Sequence, residues 1–408
     1  MKKTPLLFLC HRIPFPPNKG DKIRSFNMLK HLNEHFDVHL GFFIDDANDM
    51  QYVDELKSYC RSLHYAVLKK PIGMLKGLTG FLTNKPITLP YYSSASMSHW
   101  VSEVVEREDI NKILVFSSAM AQFVESNHYQ DKTRVLDFVD IDSDKWQQYA
   151  KNLSGVKKWF YGREARTLAA YEKAMAARFD ASVFVSDDEA AMFQSMLPSH
   201  LANRVSGIKN GVDVDFFDAH AVDQSIDGMN QNAIAFTGAM DYWANINAIT
   251  WFVDNAWPLV KKSVPDTQLY IVGSNPSQEV LKLDNGKDIF VTGRVEDVRP
   301  YIKQAKVSIA PLRIARGIQN KVLEALSMGR PIVLTSMAAT GIMDDSRDGY
   351  CVTDDPKLFA EQVSSLLGRD DKHYEDNRQF VVEAFSWAAE IGEFSALLGH
   401  EIEKRVGE

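Results

Sequence analysis

Cysteine is scarce in this chain: Cys10, Cys60 and Cys351 are the only three in 408 residues, far apart and without the paired spacing of a metal site. That excludes a disulfide framework or a zinc ribbon, and an odd, scattered set favours a reduced, cytoplasmic setting. Long apolar runs are missing as well. No stretch approaches the about 18 consecutive apolar residues of a membrane-spanning helix. The apolar part of the N-terminal MKKTPLLFLCHRIP ends after a few residues with no small-residue cleavage site behind it, so it reads as a first strand and not as an export signal. Basic excess is lacking too, since a net charge of −8 argues against broad nucleic-acid binding. There is no G-x-G-x-x-G spacing, no internal repeat and no low-complexity segment.

What remains is a chain too long for one ordinary core, with 45% hydrophobic residues to fill two. Short apolar runs alternate with helical patterns. Leu6 to Cys10, Asp37 to Ile44, Leu63 to Leu68, Ile113 to Phe116, Val135 to Val139 and Ser182 to Val185 read as strands of a doubly wound parallel sheet. After the weakly patterned stretch from Ala219 to Asn232 the alternation restarts with Ala233 to Thr237, Leu269 to Val272, Ile289 to Thr292, Val307 to Pro311 and Pro331 to Thr335. This predicts an α/β protein of two Rossmann-like domains, residues 1–212 and 213–382. A C-terminal helix over 383–408 would pack back across the junction with Trp387, Ile391, Phe394, Leu397 and Leu398 as its apolar stripe.

Several stretches carry chemistry. The loop after the first strand holds three prolines and Gly20, which lets backbone amides approach an anion at a helix start near Asp21, with Lys19, Lys22 and Arg24 adding positive charge. A strand end places Asp140 where a carboxylate can act as a base, and Asp140-Ile141-Asp142 also resembles a metal-binding D-x-D, although no histidine accompanies it. Ser186 to Glu189 has the spacing of a capping box. Residues 69–92 break the alternation with a basic, apolar, glycine-containing run that suits an acceptor cover, a membrane surface or a surface insertion. The following basic stretch, with Trp159, Phe160 and Tyr161 among Lys151, Lys157, Lys158, Arg163, Arg166 and Lys173, fits contact with anionic lipid or an ordinary solvated helix face.

The richest segment is SIAPLRIARGIQNKVLEALSMGRPIVLTSMAATGI, Ser308 to Ile342, a strand, a helix closed by Gly329, and a further strand. Gly317 permits close approach of amides at the helix entrance. Arg313, Arg316 and Lys321 reinforce a field suited to a diphosphate. Lys321 and Glu324 share a helix face, where the pattern fits either an intrahelical ion pair or a cation for phosphate beside a carboxylate for hydroxyls.

With these motifs on the page, the chain resembles the retaining nucleotide-sugar glycosyltransferases of family 4, which have the GT-B fold. The resemblance is carried by PLRIARGIQNKVLEALSMGRPIV, FVTGRVEDVRPYIKQAKVSIAP, IAFTGAMDYWANINAITWF, LYIVGSNP and NGVDVDFF. FLCHRIPFPPNKGDKIRSFNMLKHL and LDFVDIDSDKWQQYA are similar to a subgroup associated with bacterial exosortase and exopolysaccharide systems. The resemblance implies two domains facing a central cleft. It also implies sugar transfer from a nucleotide diphosphate to an acceptor hydroxyl with retention, and no metal or other cofactor. Partners would be a nucleotide sugar and a lipid-linked glycan acceptor, with the protein at the inner face of the cell membrane and domain closure hinged near Asn210-Gly211. Glu324 matches the family's ribose-binding glutamate. Arg316 stands where the sugar-binding glutamate is usual, and GAMDYWANINA lacks the usual diphosphate Arg and Lys, for which Lys321 and Arg313 are the candidate replacements. Arg294 matches a position near the base, Gly20 the phosphate-proximal loop, and Asp140 takes the place of a strand-end histidine. The competing expectations are a catalytically silent nucleotide-sugar binder or scaffold, and a GT-B epimerase.

Overall fold

The computed structural model describes residues 3–399 except 18, 152, 316, 344, 371 and 372, and residue 82 without its side chain. Two compact units emerge, Met1–Asn210 together with the segment that begins at Trp387, and Gly211–Ser386.

The first unit is built on a seven-stranded sheet of β1 (Thr4–Cys10), β2 (Phe36–Ile44), β3 (Ser62–Val67), β4 (Lys112–Phe116), β5 (Thr133–Val139), β6 (Ala181–Phe184) and β7 (Val205–Gly207). Every pairing is parallel, in the order β3-β2-β1-β4-β5-β6-β7. β1 shows why its sequence is apolar without alternation: Leu6, Phe8 and Cys10 enter one core and Leu7 and Leu9 the other, so both faces are covered. The helices that matter below are α1 (Gly20–His35), α2 (Lys70–Thr83), α3 (Thr88–Tyr91), α4 (Ala95–Arg107), α5 (Asp142–Lys151), α6 (Gly155–Arg178) and α7 (Asp187–Gln194). Residues 69–92, which interrupt the alternation, are thus mostly helical.

The second unit repeats the logic with β8 (Ala233–Thr237), β9 (Gln268–Val272), β10 (Ile289–Gly293), β11 (Val307–Ala310), β12 (Ile332–Leu334) and β13 (Tyr350–Val352), in the order β10-β9-β8-β11-β12-β13. Here too all pairings are parallel. α8 (Trp243–Asn255), α9 (Asn320–Ser327), α10 (Pro356–Leu367) and α11 (Glu375–Phe385) pack around it. In each sheet the connections reverse direction between the first and fourth strands, β1 and β4 or β8 and β11, and a crevice opens at the carboxyl ends there. The two doubly wound domains read from the sequence are therefore present.

Three details differ from the sequence reading. β7 and β13 were not anticipated, because three-residue edge strands leave no apolar run to recognise. The single C-terminal helix is instead two, α11 and α12 (Trp387–Leu397), broken at the extended Ser386; residues 400–408 lie outside the described ones. Trp387, Ile391, Phe394 and Leu398 of this segment are buried in the first unit's core. Finally, only half of the capping box forms. Ser186 Oγ accepts from the Glu189 amide at 3.2 Å, while the Glu189 carboxylate leaves its own helix and accepts from the Ile141 amide at 2.7 Å.

Candidate active site

The second unit's site grows from three glycines that end adjacent strands. Gly238 after β8 donates its amide to Val272 O at 3.0 Å, and Gly273 after β9 donates to Gly293 O at 3.2 Å. Gly238 and Gly273 adopt φ of +148° and +158°, in the region that favours glycine. A methyl group on Gly273 would lie 1.6 Å from the Gly238 carbonyl oxygen, and one on Gly238 would meet Asn245 Nδ2 at 2.7 Å and Lys321 Nζ at 3.1 Å. The strand ends are thus bare backbone, packed too closely for any side chain.

Lys321, in the first turn of α9, reaches over this floor. Its ammonium donates to Asn245 Oδ1 at 2.6 Å and lies 4.2 Å from the centre of the Phe236 ring. Asn245, in the first turn of α8, is itself fixed by donating to Ala239 O at 2.9 Å. The ion-pair reading of K-x-x-E fails here. No Lys321–Glu324 salt bridge exists among the described residues, and no described group hydrogen-bonds the Glu324 carboxylate. Burial pushes Lys321 down to about 7 against the pull of Glu324, and burial likewise pushes Glu324 up to about 7 against the pull of Lys321. One helix face at the switch point therefore presents an amine that gains charge when an anion arrives and a carboxyl with free acceptor capacity.

Other sequence candidates are placed less closely. Arg313 is exposed and extends toward the Trp251 ring, 5.8 Å away. Trp251 is six residues beyond Asn245 on α8, an axial rise of about 9 Å, so Arg313 is not gathered with Lys321. Gly317 has φ +62° and precedes α9 instead of opening it, with Gln319 Nε2 donating to its carbonyl at 2.9 Å. Arg294 is exposed directly after Gly293, whose carbonyl meets Gly273. Arg316 lies outside the described residues. Asn245, Gly238 and Gly273 were missed by the sequence reading, although FTG, IVG and VTG each end a strand in glycine.

In the first unit, Gly20 opens α1 with open space around its Cα. The positive charge expected beside it is largely spent. Lys22 is buried against Asp49 at 2.7 Å and Arg24 against Asp137 at 2.7 Å, which leaves Lys19 as the exposed cation of the three. His11, at the end of β1, lies parallel to Phe116 and places Nε2 3.4 Å from Asp21, with Nδ1 buried and without a hydrogen-bond partner among the described residues. Burial alone would raise the Asp21 carboxyl, yet His11 and Arg12 hold it well below the usual carboxylate range. A histidine directly behind the LLFLC strand was the signal for this group.

Asp140 follows Val139, a β-branched residue at φ +70°. Lys145 donates to Asp140 at 2.6 Å and to Asp142 at 3.4 Å, so the D-x-D carboxylates share an internal ammonium. Beneath them Glu172 accepts from the Ser143 amide at 3.1 Å and is joined to Ser143 Oγ at 2.5 Å. Burial pushes Glu172 up to about 8 from an ordinary 4.5, against the Ser143 hydrogen bonds and with help from Asp142. The folded state therefore holds a proton that the unfolded chain releases between pH 4.5 and about 8. Glu172 contributes its stability in full below 4.5 and loses it as pH rises to about 8. Glu172→Gln keeps one acceptor for the amide and one donor for the hydroxyl. It is expected to flatten this slope and to exceed wild type by on the order of 2 kcal/mol at pH 9, as read by thermal melts across pH.

Residues 231–369, which include Gly238, Asn245, Gly273, Lys321 and Glu324, match the family model of glycosyl transferases group 1. An uncharacterized 44.6 kDa protein in the cps region of Klebsiella pneumoniae is 21% identical over 390 residues, covering 92% of this chain and 93% of that one. The Escherichia coli UDP-Gal:alpha-D-GlcNAc-diphosphoundecaprenol alpha-1,3-galactosyltransferase is 25% identical over 162 residues, 36% of this chain and 41% of that protein. Among solved structures, Anabaena HepE in complex with UDP and glucose superposes with a TM-score of 0.63 at 13% identity, covering 97% of this chain and 99% of that one. Residues 231–369 of the second unit thus match the glycosyl transferases group 1 family, and the chain has the GT-B fold of solved glycosyltransferases.

Proposed function

We propose that the protein transfers a sugar from a nucleoside diphosphate sugar to an acceptor hydroxyl with retention of anomeric configuration, in the synthesis of a bacterial surface polysaccharide on a lipid-linked acceptor. The observation that carries this reading is the Lys321 ammonium held by Asn245 over the bare glycine ends of β8 and β9. A diphosphate seated there accepts from backbone amides and from Lys321, and it raises the charge state of that amine as its own negative charge grows on departure. Glu324, one turn along α9 and without a hydrogen-bond partner among the described residues, is the acceptor for ribose hydroxyls; Arg294 lies toward the base. Arg313, Arg316 and Gly317 are assigned to the donor by their place in the sequence between β11 and α9, and Gly20 by its place at the start of α1. Asp140 is the assigned strand-end carboxylate, with its charge tempered by Lys145. The scheme routes no step through a metal or other cofactor.

Three resemblances support the substrate class: a solved neighbour binds UDP and glucose, a relative transfers galactose to a diphosphoundecaprenol-linked sugar, and another relative belongs to a cps region. A panel of nucleoside diphosphate sugars in a thermal-shift assay tests the donor site, because a ligand specific to the folded state raises its stability. One donor is expected to raise the melting temperature, and Glu324→Ala to weaken its binding about tenfold, the loss of one or two hydrogen bonds to hydroxyls. If no nucleotide sugar shifts the protein, the donor-site assignment fails. A shift without nucleotide release in the presence of cell-derived lipid acceptors identifies a silent binder instead. The anomeric form of the product, read by NMR, decides retention.

A further inference from the structure

α2 is built inside out for a helix in water. Its inward face is Gly73, Gly77 and Gly80, and a methyl group on these would meet the Tyr91 ring at 2.8 Å, Ile87 Cγ2 at 2.7 Å and Lys85 O at 2.9 Å. Its large apolar side chains face outward, with Ile72 51%, Met74 67%, Leu75 69% and Leu78 55% exposed. A surface helix ordinarily does the reverse.

The helix is held firmly in this orientation. Arg163, buried on α6, donates to Gly80 O at 2.6 Å and Lys85 O at 3.0 Å, and its guanidinium lies 4.5 Å from the Phe81 ring centre. Glu164 accepts from the amides of Ile87 at 3.0 Å and Thr88 at 3.4 Å. Phe81 in turn stacks on Trp159 at 6.0 Å, which continues the apolar surface onto the first turns of α6 through the exposed Trp159 and Val156.

Charge identifies the occupant. Between Glu55 and Glu103 there is no acidic residue, and the exposed Lys69, Lys70, Lys76 and Lys85 border the apolar stripe. Between Asp144 and Glu164 there is again no acidic residue, and Lys157 and Lys158 directly precede Trp159. Such segregation of basic residues in a chain of net charge −8 is a local device. A second copy of the chain would set these lysines against their equals across a symmetric interface. An anionic bilayer receives both parts, the apolar stripe among its acyl chains and the lysines at its headgroups. At 14 residues α2 is about 21 Å long, too short to span and suited to lie in the interfacial plane. No described helix is long and apolar enough to cross a membrane.

We infer that the outward face of α2, extended by Val156 and Trp159 of α6, is a docking surface for an anionic lipid bilayer. The test is co-sedimentation of the full chain with vesicles of phosphatidylcholine alone and of an equimolar mixture with phosphatidylglycerol. No donor or acceptor is present, so its outcome is separate from that of the transfer assay. Binding to the anionic vesicles is expected to be about tenfold or more tighter than to the neutral ones. Leu75→Asp/Leu78→Asp should lower it about tenfold or more, and Lys69→Glu/Lys70→Glu should remove the preference for anionic lipid. Leu358→Asp, at an exposed leucine of α10, should leave binding unchanged. Acidic residues at the start of α2 suit the helix dipole, and Leu75 and Leu78 are exposed, so melting temperatures should stay near wild type and expose any variant that fails to fold. Failure of wild type to bind, binding undiminished in Leu75→Asp/Leu78→Asp, or a dimer that this variant dissolves without vesicle binding by wild type would each overturn the proposal.

Discussion

Lys321→Ala is expected to lower the rate of sugar transfer about a hundredfold, the scale of about 3 kcal/mol for one preorganised donor aimed at developing charge. The argument rests on where the amine is kept. It sits on Asn245 Oδ1 beside the Gly238 backbone, without an ion pair to Glu324, and burial holds it down to about 7. A diphosphate supplies the missing counter-charge and raises that pKa. Binding therefore takes up a proton above about pH 7, and nucleoside diphosphate affinity falls as pH rises past that point, by at most about tenfold per unit. Titration calorimetry at pH 8 in two buffers of different ionisation enthalpy reads the uptake directly, and Lys321→Ala should abolish it. Stability should change little, since the substitution removes a buried cation along with its hydrogen bond. A variant that transfers sugar at the wild-type rate, or a wild type with no proton uptake, would remove Lys321 from the leaving-group role.

Both sheets were legible in the sequence because parallel strands covered on two faces leave continuous apolar runs such as LLFLC and AIAFT. Edge strands of three residues left none. The Lys321 and Glu324 face was legible from helical spacing, but what each side chain meets was not, because Asn245 is 76 residues away. Long range also misled the reading of α1. Lys22 and Arg24 look like anion ligands beside Gly20, and only the fold reveals Asp49 and Asp137 at 27 and 113 residues' distance. The orientation of α2 was hidden for another reason. Periodicity locates an apolar face, and it is the close approach of residues 85–91 that reserves the inward side for glycine.

Arg24→Met or Asp137→Leu alone is expected to destabilise the first unit by about 3–5 kcal/mol, whereas the two together should come within about 1 kcal/mol of wild type. Both side chains are fully buried and meet at 2.7 Å. Removing one strands the other's charge away from water, and removing both removes that cost. Asp137 carries a second load: its Oδ1 accepts from the amide of Val139 at 3.0 Å, where the β5 register shifts and the backbone takes its left-handed turn before Asp140. Arg24 also reaches Asn210 Oδ1 at 2.9 Å and Lys209 O at 3.2 Å, and its guanidinium lies 5.4 Å from the centre of the Phe394 ring on α12. The double variant should therefore recover stability while releasing both the turn that aims Asp140 and the last residues of the first unit. Denaturant unfolding followed by differential scanning calorimetry would measure the cycle. Near-wild-type stability in either single variant would show that the buried pair is not what holds these segments.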